Sequence, residues 1–228
     1  MDTYQSTEIP NAPNAAQTLI TTETGQSAHN PECESNHDDL DQTFEVSLFL
    51  SVKQPQGTRE KWTWKQFEER FSNSHLRSHK EGPLFSMAIY QDGPVHRKKE
   101  NVVAFSGLIV DCDESHTLDE LNAIIQPLEV RAIVGSTFSH GRPDVKNHPN
   151  AHAPGERYRV IFPLSSPVLV ADYPEVWNRL NSLFGGRIDA ACKDPSRAYF
   201  LPSHLDKNKI VFKSIFGYSS EVIPSRYI

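Results

Sequence analysis

Val102-Val103-Ala104-Phe105-Ser106-Gly107-Leu108-Ile109-Val110-Asp111-Cys112-Asp113 is the stretch whose reading decides the fold. The run 102–110 is short and almost continuously apolar, which suits a central strand covered on both faces. Residues i and i+2 of a strand project from one face, so Asp111 and Asp113 set two carboxylates side by side while Cys112 faces away. Side by side they repel. Both ionise comfortably only with a cation between them, and hard carboxylate oxygens suit Mg²⁺ or Mn²⁺ better than zinc. Taken alone, the same three residues also read as a strand end entering a polar turn, with Asp113 serving the Glu114-Ser115-His116 connection.

Working upstream, the alternation over residues 44–50 predicts a first strand. Thr63 and Gln66 are spaced for a capping box at the head of a helix. The loop His79-Lys80-Glu81-Gly82-Pro83 and a short strand at 85–90 follow. Downstream, Thr117 and Glu120 form a second capping box, opening a helix that Pro127 stops. Residues 130–138 and 157–164 read as strands joined by the polar loop 141–155. Asp172-Tyr173-Pro174 starts a third helix with Pro near its first position, and Gly185-Gly186 ends it. Two further strands are expected at 198–201 and 209–216. The pattern predicts an α+β fold, a sheet with helices packed on one side.

With 228 residues, 37% hydrophobic and 10% aromatic, the chain can bury one good core, and the expectation is a single domain over 43–228. Residues 1–42 are polar and acidic with few large apolar groups, so they are expected to be a disordered tail. No apolar run approaches the roughly 20 residues of a membrane span, and the N-terminus lacks a signal-peptide layout, so a cytoplasmic protein without membrane partners is expected. Cys33, Cys112 and Cys192 are too few and too scattered for a disulfide framework or a paired C-x-x-C zinc site. Formal charge is −6. Eight acids and no Lys or Arg precede Phe44, however, so the remainder carries +2. A mildly basic body is compatible with phosphate binding.

The order of polar groups after the two acids is informative. Ser136-Thr137-Phe138-Ser139-His140 follows the next strand. Glu156-Arg157-Tyr158-Arg159 then places two arginines on one strand face, where planar forks can meet phosphate. Gly185-Gly186-Arg187-Ile188-Asp189 supplies a third acid after a helix, and Lys193-Asp194-Pro195-Ser196-Arg197 adds basic groups near it. Individually, His140 reads as a loop residue, Arg157 and Arg159 as exposed strand positions, Asp189 as a helix-exit cap and 193–197 as a plain turn. Together they match the needs of phosphoryl transfer from a nucleoside triphosphate: carboxylates for metal, cations for the triphosphate.

In LIVDCD, in STFSH followed by RYRVIFPLSSPV, and in RIDAACKDPSRAYFLPS, the chain resembles the primase-polymerase domains of plasmid and phage replication proteins, in the archaeo-eukaryotic primase superfamily. These stretches keep the family's order over about half the chain, and TWKQFEERF and KEGPLF extend the likeness upstream. The resemblance implies a palm with an RRM-like mixed or antiparallel sheet. It implies that Asp111, Asp113 and Asp189 bind Mg²⁺ or Mn²⁺ and are catalytic. His140, Arg159, Arg157, Lys193 and Arg197 would bind the nucleotide. Phe138 stands where the family's second motif has a small residue, and in the alternative alignment on Ser136-Thr137-Phe138 it stands where the family has His. The implied partners are a single-stranded DNA template, nucleoside triphosphates and a separate helicase or accessory replication protein, in the replication of a plasmid, phage or other mobile element.

Three competing classes remain. A nicking initiator needs a His-hydrophobic-His pair on a strand, and His140, His148 and His152 lie instead along a polar loop. A metal nuclease could use three acids but has less need of the arginine strand. A degenerate primase-like module would bind DNA without turnover. On the catalytic reading, Asp111→Ala is expected to abolish synthesis and leave the fold intact.

Overall fold

The computed structural model describes residues 42–113, 115–142, 155–215 and 217. The tail 1–42, apart from Gln42, therefore lies outside the described residues, as do Glu114, His148 and His152.

Two five-stranded sheets organise the described chain. The first is built on a hairpin of β1 (Thr43–Phe49) and β2 (Gln56–Thr63), with β4 (Leu84–Ser86) beside β1 and β6 (Val95–His96) beside β2. β10 (Tyr199–Phe200) closes it against β4. The second has at its centre the long pair β7 (Val102–Asp113) and β9 (Arg157–Leu169). β5 (Ala88–Tyr90) flanks β7, and β8 (Ala132–Ser136) with β12 (Phe212–Ile215) flanks β9. Every pairing in both sheets is antiparallel. The parallel element is a two-stranded pair, β3 (His75–Leu76) with β11 (Ser203–His204).

β2 escapes a pattern reading because it carries Arg59, Glu60 and Lys61 and fully buries only Trp62. The expected single strand at 85–90 is two strands in different sheets, and the chain changes sheet at Met87. That crossing explains Gly107: a Cβ there would stand 2.3 Å from Met87 Cε. The register of β7 shifts between Phe105 and Gly107 as it passes beneath.

α1 (Trp64–Ser72), α2 (Leu118–Ile125) and α3 (Tyr173–Leu183) have the expected starts. Thr63–Gln66 and Thr117–Glu120 both form reciprocal capping boxes, each contributing about 1 kcal/mol. α1 buries Trp64, Phe67 and Phe71 among Phe44, Trp62 and Phe85, with ring centroids 5.0–6.4 Å apart in edge-on, tilted and stacked pairs.

The expected α+β class holds, but the helices are not confined to one side. Phe71 of α1 packs over Gly135, on the same face of the second sheet as Arg159. Phe162, three residues along β9 and so on the opposite face, meets Phe184 at the end of α3. β7 and β9 are buried along most of their lengths, so both faces require cover.

Candidate functional site

The site begins where the second sheet loses a strand. β5 pairs only with residues 102–105 of β7, which leaves the far part of that edge without a strand partner among the described residues. Buried backbone groups still need partners, and here they come from the chain beyond α3. Tyr199 O–H donates to the Ile109 carbonyl (2.9 Å), Asp189 N–H donates to the Asp111 carbonyl (3.0 Å), and Asp111 N–H donates to Cys192 Sγ (3.3 Å). Gly185 and Gly186, with φ of +66° and +74°, turn the chain out of α3 toward this edge. Asp189 then caps the short 3₁₀ turn Ala190–Lys193 through its Oδ1, which accepts from Ala191 N–H at 3.0 Å. Edge satisfaction is thus what carries a third acid to the first.

The register of β7 against β9 sets the charges. Asp111 lies opposite Arg159 and Asp113 opposite Arg157, so strand alternation puts all four on one face. The Arg159 guanidinium grips Asp111 with two bonds, 2.8 Å to Oδ1 and 3.2 Å to Oδ2, and donates a third to the Phe200 carbonyl at 2.8 Å. Arg197 reaches Asp189 Oδ2 at 3.1 Å and Asp111 Oδ2 at 3.7 Å. Both guanidiniums lie over the ring of Tyr199, at 4.7 Å and 5.7 Å from its centroid. Burial holds the Tyr199 phenol well above its ordinary range, so it remains a neutral shelf under two cations. Among the described residues, Asp113 has no such clamp. Desolvation and then the charge of Asp111 push its carboxyl above the usual range, against the lowering effect of Arg157 and Lys80.

Asp111, Asp113, Arg159 and Arg197 line one cleft, together with Lys80, Phe71, Phe138 and Phe200. Asp189 stands behind Asp111, and ligand atoms of Asp111, Asp189 and Cys192 fall within 4.8 Å of one another. Other candidates from the sequence lie apart. Lys193 turns its ammonium to the Trp177 ring, 5.0 Å away. His140 Nδ1 lies against the Arg157 backbone, 3.1 Å from its N–H and 3.3 Å from its carbonyl oxygen. Its ring sits 4.9 Å from Tyr158, whose side chain leaves β9 on the face opposite Arg157 and Arg159. Desolvation lowers its pKa, so it is neutral at pH 7.

Tyr199, Cys192, Lys80 and Phe200 were not picked out by sequence reasoning. For Tyr199 a signal existed: Arg197 and Tyr199 are two apart, and an aromatic on the face of a functional Arg is a natural support. Cys192 offered none.

The donor set suits a hard divalent cation. Asp111 and Asp189 supply carboxylate oxygens within shared reach of one another, and Asp113 lines the adjoining cleft. Cys192 is a poor candidate ligand. Burial pushes its thiol up to about 11, so it stays protonated, and its sulfur already takes the Asp111 N–H.

No protein-family model matches this chain, and no curated protein matches it. Among solved structures it is similar to the AEP domain of the cyanophage S-2L primase-polymerase (PrimPol), with 12% identity over 79% of this chain and 89% of that one, at a TM-score of 0.42. So distant a likeness leaves the chemistry to be read from the side chains of the cleft. Among the described residues, no helix is long and apolar enough to cross a membrane.

Proposed function

We propose that this chain is a divalent-metal nucleotidyltransferase of the primase-polymerase type, extending a 3′-hydroxyl on a single-stranded DNA template with nucleoside triphosphates. The observation that carries the reading is the docking of Asp189 on Asp111. An acid from a distant segment hydrogen-bonds to the strand that bears the first two and shares Arg197 with it, at a cleft lined by Asp113, Arg159 and Lys80. The motif order seen in the sequence supports the same class.

Asp111, Asp113 and Asp189 would hold Mg²⁺ or Mn²⁺, which when bound supplies charge neutralisation at the attacking and leaving oxygens. The protein's own groups do the remaining work. Arg159 and Arg197, both lying over the Tyr199 ring, set two planar forks against the acid cluster, and such forks match phosphate oxygens. Their pairing with the buried Asp111 and the half-buried Asp189 balances those charges, and with a cation on the acids both forks would be free for phosphate. Phe71, Phe138 and Phe200 give the cleft an apolar wall that limits water.

One observation favours a second reading, a DNA-binding module without turnover. The Arg159 fork satisfies both oxygens of Asp111 by itself. Incubation with Mn²⁺ or Mg²⁺, labelled nucleotides and primed or unprimed single-stranded template separates the readings. Primer extension that disappears in Asp113→Asn supports the transferase. Shortened template indicates a nuclease, and template binding with neither product indicates the binding module.

A further inference from the structure

Arg159 and Arg197 are each held by carboxylates of the acid cluster. Lys80 is different. It lines the same cleft beside Asp113, is exposed, and forms no ion pair among the described residues. Its ammonium stands 6.0 Å from the Phe200 ring centroid, the outer limit of a cation–π contact and too weak to fix it.

The loop that carries Lys80 is nonetheless anchored on both sides. Before it, His75 N–H donates to the Pro202 carbonyl (3.2 Å) and Arg77 N–H to the His204 carbonyl (2.8 Å), within the parallel β3–β11 pair. After it, Leu201 N–H donates to the Pro83 carbonyl (2.9 Å). Within it, His79 Nδ1 meets the Glu81 carbonyl at 3.1 Å, and Arg77 folds across Gly82, where a Cβ would lie 2.4 Å from its Nη1. Both anchors end on residues 201–204, the segment that continues from Phe200 and forms part of the cleft wall. A flexible four-carbon stem is thereby held at a fixed root over the cleft, with three donors and, among the described residues, no ion pair.

From this we infer that Lys80 is the residue that takes the phosphate chain of the bound nucleotide. The inference rests on the nucleotidyl-transfer reading. A phosphate chain joined to Asp111 and Asp113 through a divalent cation would lie in the cleft that Lys80 also lines.

The test uses the full chain in Mn²⁺, with binding of a fluorescent nucleoside triphosphate followed by anisotropy and inorganic tripolyphosphate as competitor. Lys80→Ala should weaken both the nucleotide and tripolyphosphate by about tenfold, the loss of one charge-assisted hydrogen bond. Lys80→Arg should recover most of the affinity. In primer extension, Lys80→Ala should raise KM by a similar factor and leave kcat nearly unchanged. Unaltered tripolyphosphate binding in Lys80→Ala, with wild type binding normally, would overturn the assignment alone. A wild-type protein that binds neither probe would overturn the nucleotidyl-transfer reading and this assignment with it.

Discussion

The two ends of β7 are built from one strand yet do different work. Its first part, residues 102–105, lies between β5 and β9 and is sheet interior in the ordinary sense. Its last part keeps β9 but loses β5, and the missing partner is replaced by Tyr199, Asp189 and Cys192 from the chain after α3. The paired end contributes apolar burial, whereas the patched end collects charge. An incomplete sheet edge is therefore a device for recruiting a distant residue to a strand: whatever satisfies the orphaned backbone groups arrives with its own side chains, here a carboxylate and the aromatic shelf for two arginines.

Asp111→Ala should break that contrast most severely. Its carboxylate and the Arg159 guanidinium are 8% and 11% exposed. Removing one partner of so buried a pair costs roughly 3–5 kcal/mol. Beside the lost synthesis expected from the sequence, denaturant unfolding should therefore show a large loss of stability, and Arg159→Met in the same background should restore part of it. If Asp111→Ala melts like wild type, the pair is not the keystone described here.

Tyr199→Phe tests the patch without touching a charge. It deletes the donor to the Ile109 carbonyl and leaves that acceptor bare at a cost of about 1–3 kcal/mol. The matching substitution of a polar group just beyond the paired end, Ser106→Ala, removes a hydroxyl bonded to the Glu45 and Met87 carbonyls. Both should lower stability and leave synthesis largely intact, because phenylalanine keeps the ring on which the arginines rest, whereas Tyr199→Leu, which removes that ring, should also reduce synthesis. Equal synthesis in Tyr199→Leu and Tyr199→Phe would mean that the shelf does not orient them.

Asp113 sharpens the comparison through pH. Its carboxyl is raised in the folded chain, by desolvation first and Asp111 second. A raised carboxylate favours the fold when protonated, so its contribution is fully present below the unfolded-state value and is lost as pH rises through the folded one. Asp113→Asn removes that loss. In thermal unfolding across the acidic range, the variant should be at least as stable as wild type at neutral pH, and its advantage should shrink on acidification. A variant less stable at neutral pH would contradict the assigned direction.

The smallest effect is expected at His140. Since its Nδ1 lies against the Arg157 backbone and its ring faces Tyr158, His140→Ala should cost about 1 kcal/mol of stability and leave nucleotide KM unchanged. A several-fold rise in KM would return it to the binding site, as the family resemblance implies.

Much of this was legible in the chain. The run into Asp111-Cys112-Asp113 announced a buried strand with two acids on one face because apolar continuity and period-two alternation are local properties. Thr63–Gln66 and Thr117–Glu120 announced helix starts for the same reason. The division of 85–90 between two sheets was not legible, since it depends on Met87 meeting Gly107 from a separate strand. β2 hid behind its charges. Nothing local marked Cys192 as the acceptor for Asp111, or Lys80 as a lining group, because both roles arise where segments far apart in sequence come together.

The most direct test of the central claim is Mn²⁺ binding, followed by electron paramagnetic resonance in the presence of nucleotide, for wild type, Asp113→Asn and Asp189→Asn. Wild type should bind the ion and each variant should bind at least tenfold more weakly, because the carboxylates of β7 and of the segment after α3 serve a common site. Equal binding by wild type and Asp189→Asn would contradict this, leaving Asp189 as a cap on the edge of β7 and nothing more.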